Sequence, residues 1–239
     1  MFNYDIVVEP GDIIAVGDIH ARYDLFELLL NHLRASQATV ILLGDIIDRG
    51  GQDMEVLNKV KQLLDDPESE GLANFFCLMG NHEGMFVDAM TGPGSDYLLW
   101  LQNGRNFECY DQMQEHLDWI AELPVYMTIG DTMFIHAGFF PGVDPYKTID
   151  SGRTDSILWM RDPFLTYGPR FEVWNPDLKQ VVFGHTPKFD EGEGLPYRIP
   201  GGICIDTGAY FTDKLTTYNV TRDTFNQYTL SNETTLATR

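Results

Sequence analysis

Along its first ninety residues the chain alternates two hydrophobic patterns. Short apolar runs at 13–16, 39–43 and 74–79 are too brief for helices and read as buried strands. Between them apolar residues recur every three or four positions. Phe26, Leu29, Leu30 and Leu33 predict one face of a helix over 22–33. Leu57, Val60 and Leu64 do the same over 53–64, up to the stop at Asp65-Asp66-Pro67. A further helical stretch begins after residue 80. This βαβαβ rhythm predicts a parallel sheet with functional groups gathered at the carboxyl ends of its strands.

The pattern then changes. Met113, Leu117 and Ile120 mark one more amphipathic helix ending before Pro124, and strands dominate from there. Runs at 125–129 and 132–135, joined by Gly130-Asp131, predict a hairpin. Further strands are expected at 181–183, 203–205, 215–220 and 225–230. Two sheets packed together between helices follow, an α/β fold in a single domain over 1–239. The span 139–179 has little periodicity and is expected to be functional or to hold short helices. Residues 189–200 read as a Gly-rich acidic loop, and 231–239 as a polar, frayed tail.

Composition narrows the function. The 239 residues are 44% hydrophobic and 13% aromatic, enough for a substantial core. Sixteen basic against 36 acidic residues give a formal charge of −20. That sign repels phosphate backbones and anionic lipids, so no nucleic-acid partner and no membrane partner is expected. Cys77, Cys109 and Cys204 form no CxxC and no even framework, and Cys77 and Cys204 fall in strand-like runs as buried thiols. No signal segment and no spanning run is visible, which points to the cytoplasm.

The chemistry lies where apolar runs end. Gly17-Asp18-Ile19-His20, Gly44-Asp45-Ile46-Ile47-Asp48-Arg49-Gly50, Gly80-Asn81-His82-Glu83, His136-Ala137-Gly138 and Gly184-His185-Thr186-Pro187 each follow such a run. Each sets Asp, Asn or His beside a glycine, which lets a loop turn sharply toward a shared centre. Mixed carboxylate and imidazole ligands suit Mn, Fe or Zn better than Ca or Mg. One cluster would be noise, but five in a chain of this length point to a metal site.

These five motifs, in this order, resemble the calcineurin-like metallophosphatases, within them the phosphoprotein phosphatase branch. Ile205-Asp206-Thr207-Gly208-Ala209 is similar to the small bacterial and phage members. The resemblance implies a β-sandwich of two mixed sheets flanked by helices, a single metallophosphoesterase domain holding two divalent metals. Manganese is the first choice, with Fe, Zn or Mg as alternatives. It implies that Asp18 and His20 bind the first metal, that Asp45 bridges both, and that Asn81, His136 and His185 complete the second. His82 becomes the general acid, oriented by Asp48. Arg49 grips the phosphate, helped by Arg161, with Arg153 in reserve and Arg22 as a further candidate. Ala21 departs from the family, which usually has glycine there. Glu83 is read as support for the ligands, and His32 and His116 as ordinary helix residues satisfied by neighbours.

The implied activity is phosphomonoester hydrolysis by a metal-held hydroxide, on phosphoserine and phosphothreonine of a phosphoprotein, with phosphotyrosine as a further candidate. The nearest rival is a dinucleoside polyphosphate hydrolase or another enzyme of small phosphoesters. A non-catalytic scaffold on the same fold is the rival from another class.

Overall fold

The computed structural model describes residues 10–104, 110–151, 154–190 and 192–230. Strand β1 (Ile13–Val16), helix α1 (Tyr23–Leu33), β2 (Thr39–Leu42), α2 (Asp53–Asp65), β3 (Asn74–Cys77) and α3 (Asn81–Thr91) form the expected alternating half. A fourth helix, α4 (Gly94–Gln102), follows at once. The second half contributes β4 (Tyr126–Ile129), β5 (Thr132–Ile135), β6 (Gln180–Phe183), β7 (Lys188–Asp190), β8 (Glu193–Leu195), β9 (Tyr197–Ile199), β10 (Gly202–Cys204), β11 (Leu215–Asn219) and β12 (Thr224–Tyr228).

Two five-stranded sheets result, ordered β12-β11-β1-β2-β3 and β4-β5-β6-β10-β9, with β7 and β8 as a separate hairpin. In the first, β1, β2 and β3 are parallel, β11 runs against β1, and β12 runs against β11. In the second, β5, β6 and β10 are parallel between antiparallel edges β4 and β9. Both sheets are mixed, as the fold reading requires.

The apolar runs are continuous because both faces of the central strands are covered. Ala15, Ile41, Phe134, Val182 and Ile203 meet in the layer between the sheets. Their neighbours Ile14, Val16, Val40 and Leu42 turn outward under the helices, in a cluster with Leu29, Leu57 and Val60. Met133, Ile135, Val181 and Phe183 turn the other way onto Phe164 and Phe171. Every parallel strand therefore delivers its last residues to one rim of the sandwich.

The structure corrects several local readings. The helix predicted around 113–120 is broken into Tyr110–Met113, a 3-10 turn at Gln114–His116 and Leu117–Ala121. The loop at 189–200 contains β8, β9 and most of β7. The span 139–179 does carry short helices, as expected, at Pro145–Asp150, Asp155–Leu158 and Phe164–Tyr167. Cys77 and Cys204 are buried free thiols; Cys109, Arg153 and the tail 231–239 lie outside the described residues. Among the described residues no helix is long and apolar enough to cross a membrane.

Candidate metal centre

The five motifs converge at the rim where β1, β2, β3, β5 and β6 end. Asp45 is the centre. One oxygen, Oδ2, lies 3.5 Å from His20 Nε2 and 4.0 Å from His82 Nε2. The other, Oδ1, lies 3.4 Å from His136 Nε2 and accepts the His82 backbone N–H at 2.9 Å. Two tight groups of donor atoms share this one carboxylate: His20, Asp45 and His82 on one side, Asp45, His136 and His185 on the other. Asn81 belongs to the second group, since its Oδ1 sits 2.9 Å from His136 Nε2 and 2.8 Å from His185 Nδ1. Asp18 lies beside both, its two oxygens accepting the His185 backbone N–H at 3.2 and 3.1 Å.

Sharp turns make this convergence possible. His20, Ala21, Asp45, Asp48, Arg49 and His185 all have positive φ, between 47° and 70°. Non-glycine residues there carry strain, and such strain gathers at functional sites. The family's usual glycine at position 21 has a physical reason, because Ala21 has φ +52°. Gly184 is needed for space, since a Cβ there would come within 2.1 Å of Asp18 Oδ1.

Each ring is aimed by its other nitrogen. His20 Nδ1 pairs with the Ile47 carbonyl at 3.1 Å and His136 Nδ1 with the Leu43 carbonyl at 2.9 Å. That leaves Nε2 of both for the centre, the arrangement common to metal-binding histidines. Asp48 Oδ2 accepts from His82 Nδ1 at 2.6 Å and from Trp100 Nε1 at 2.7 Å. Glu83 accepts from the Asp45 and Gly80 N–H groups through one oxygen, at 2.7 and 2.8 Å, and from Ile46 N–H through the other at 2.9 Å. It thus holds the two loops after β2 and β3 together.

Burial sets the charge states. It pushes the Asp18 carboxyl well up, helped by Asp206 and Asp45, and lifts Asp206 to about 7. It lifts Glu83 likewise to about 7, with Asp45 adding to the rise. Burial drives His20 and His136 down, and His185 down to about 2, so these rings are neutral and free to donate a lone pair. His82 is the exception: burial pulls it down, but Asp45 and Asp48 outweigh that and raise it.

Four buried carboxylates crowded against neutral imidazoles are what divalent cations would relieve. His185 Nε2, His82 Nε2 and Asp48 Oδ1 are, moreover, buried without a hydrogen-bond partner. The donor set fits metal binding.

The comparisons agree. The family model described as calcineurin-like phosphoesterase matches residues 11–197. The chain belongs to that family. This phosphoesterase is 29% identical to serine/threonine-protein phosphatase 2 of Escherichia coli K12, over 86% of the chain and 91% of that protein. It is 28% identical to the symmetrical bis(5'-nucleosyl)-tetraphosphatase of Acidovorax ebreus, over 69% of the chain but 59% of that enzyme's length. Among solved structures, a putative diadenosine tetraphosphatase superposes with TM-score 0.61 at 20% identity, covering 92% of this chain and 96% of the other. A Saccharomyces cerevisiae protein serine/threonine phosphatase gives 0.60 at 18%, covering 93% and 81%. These structural likenesses establish the fold.

The arginines of the phosphoesterase divide. Arg49 is exposed at the mouth, with Nη1 2.7 Å from His20 Nε2. Arg161 is exposed and close enough for its charge to help depress His185. Arg22 turns away from the mouth: it forks onto Asp24 at 2.9 Å and reaches the Ala209 carbonyl and Asp213 at 3.0 and 2.5 Å. Sequence reasoning gave no role to Trp100, Asp206 or Tyr210. The motif Ile205-Asp206-Thr207-Gly208-Ala209 was the one signal that could have pointed to the last two.

Proposed function

We propose that this phosphoesterase hydrolyses phosphomonoesters on proteins, phosphoserine and phosphothreonine first. The observation that carries the reading is the Asp48–His82 pair set against Asp45. His82 Nδ1–H is held by a carboxylate, so the ring is fixed and Nε2 is presented to the metal-binding rim. Raised in pKa, His82 can carry a proton at Nε2 and give it to a departing alkoxide, as serine and threonine leaving groups require. Asp18 and His20 with Asp45 would hold one divalent metal, and Asp45 with Asn81, His136 and His185 the other, manganese being the first candidate. Bound there, the metals would supply a water of lowered pKa and positive charge for the phosphoryl oxygens. Arg49, with Arg161 near His185, would bind those oxygens through their planar forks.

The match to the Escherichia coli protein phosphatase, over 91% of that protein, supports a protein substrate, while the putative diadenosine tetraphosphatase structure, covered to 96%, keeps the dinucleotide as the rival reading. The deciding experiment compares kcat/KM on phosphoserine and phosphothreonine peptides with that on diadenosine tetraphosphate, across Mn, Fe, Zn and Mg. A clear preference for the dinucleotide would overturn the reading in favour of polyphosphate hydrolysis.

A further inference from the structure

Beside the mouth stands a row of aromatic rings that the hydrolytic machinery does not use. Tyr210, Phe211 and Phe189 are 41%, 68% and 49% exposed, although large apolar side chains gain most from burial. They touch one another: Phe189 and Phe211 have ring centroids 5.7 Å apart, Tyr210 and Phe211 6.4 Å. The row joins the site directly. The Arg49 guanidinium lies over the Tyr210 ring at 4.9 Å, and the His20 ring meets the same ring edge-on at 5.3 Å.

The row is also held in place. Tyr210 and Phe211 lie in the short helix Ala209–Thr212, entered through Gly208, whose N–H donates to buried Asp206 at 2.9 Å. Thr212 Oγ1 donates to the Thr207 carbonyl at 2.9 Å, and Arg22 clamps Ala209 and Asp213 from below. Phe189 comes from the β7–β8 hairpin and packs where a Cβ on Gly208 would stand, 3.1 Å from its ring. The shelf is therefore fixed in position before any substrate arrives, which lowers the ordering cost of binding on it.

We infer that Tyr210, Phe211 and Phe189 form a specificity shelf for an aromatic leaving group, the phenyl ring of phosphotyrosine in a peptide. This rests on the phosphomonoesterase reading, with Arg49 on the phosphate. In phosphotyrosine a single oxygen joins ring to phosphorus, so a phosphate gripped by Arg49, itself seated over Tyr210, keeps its phenyl ring close beside this aromatic row. A serine or threonine side chain has no ring to lay there. A nucleobase is flat too, but a sugar separates it from the phosphate.

The test measures kcat and KM of the metal-loaded wild type, Phe211→Ala and the Phe189→Ala/Phe211→Ala double variant. Substrates are a phosphotyrosine peptide, its phosphoserine counterpart and diadenosine tetraphosphate. Calorimetric binding of a phosphonate analogue of the phosphotyrosine peptide provides a readout independent of turnover. Losing the shelf should raise KM for phosphotyrosine, and weaken the phosphonate, by about three- to tenfold. The phosphoserine peptide should stay within about twofold on the same scale. Equal losses on both peptides would overturn the shelf while leaving the phosphatase reading intact. A loss confined to the dinucleotide would reassign the shelf to a nucleobase. Wild type that cleaves the dinucleotide and neither peptide would sink both readings together.

Discussion

At the scale of single residues, His82 and Glu83 are neighbours in sequence with opposite duties. His82 ends in a buried nitrogen aimed at the rim, and Glu83 ends in a carboxylate filled by backbone N–H groups. Their substitutions should fail differently. His82→Asn should lower kcat on a phosphoserine peptide by about 10²–10⁴, the range for a positioned acid or base, and lower it much less on an activated aryl phosphate. Equal losses on the two substrates would remove the proton-donor role. Glu83→Ala should act first on the fold, because three short backbone donors lose their only side-chain acceptor. At roughly 1–3 kcal/mol for each orphaned donor, the expected loss is at least about 3 kcal/mol, read from the denaturant midpoint. A midpoint within about 0.5 kcal/mol of wild type would show that water or backbone replaces the carboxylate.

Among the elements, α4 matters most and was invisible in the pattern. Its apolar residues Leu98, Leu99, Trp100 and Leu101 are consecutive and show no stripe, and Leu98 and Leu99 are exposed in the structure. Only Trp100 turns inward, fully buried against Phe86, to give its N–H to Asp48. Trp100→Phe keeps most of that packing and removes the donor. It should lower kcat on phosphoserine severalfold and shift the alkaline limb of the pH–rate profile, where the proton donor His82 is lost, with the far-UV spectrum unchanged. An unaltered profile would make Trp100 a packing residue alone.

The same contrast explains what the sequence could and could not show. β1, β2 and β3 were legible because burial on both faces leaves a continuous apolar run, and the site residues were legible because each ends such a run. The β8–β9 segment was missed because its strands are three residues long and partly exposed, so no alternation develops. The Tyr210 shelf was missed because its neighbours in space, Phe189 and Arg49, lie far away in the chain. The helix at 113–120 breaks around His116, whose Nδ1 accepts the Trp119 indole N–H at 2.9 Å. That bond requires a neutral ring, and burial depresses the His116 pKa. Its contribution to stability is complete above the ordinary value near 6.5 and is lost as pH falls through the depressed one. An NMR titration should place His116 below about 6.5; a midpoint at or above that would contradict the pairing.

For the whole molecule the decisive fact is charge. The formal net charge is −20, and Asp18, Asp45, Asp206 and Glu83 are buried together at one rim. Cations bound there would stabilise the native state both by mass action and by removing repulsion. A metal held at a hundred times its dissociation constant adds about 2.7 kcal/mol. Exhaustive chelation should therefore lower Tm by several degrees, and adding Mn should restore it before any substrate is present. A Tm indifferent to chelator and metal would mean that no metal binds this rim.

The rim is assembled from both sheets, and its donors are strung from Asp18 to His185 along the chain. A ribosome making this protein releases Asp18, His20, Asp45, Asn81 and His82 early; His136 and His185 follow only after more than half of the polypeptide exists. A complete donor set is thus available only late in biosynthesis, once the second sheet closes over the first. Metal capture would record that closure, and a chain interrupted before β6 would carry Asp18, Asp45 and His136 without the His185 that completes the set.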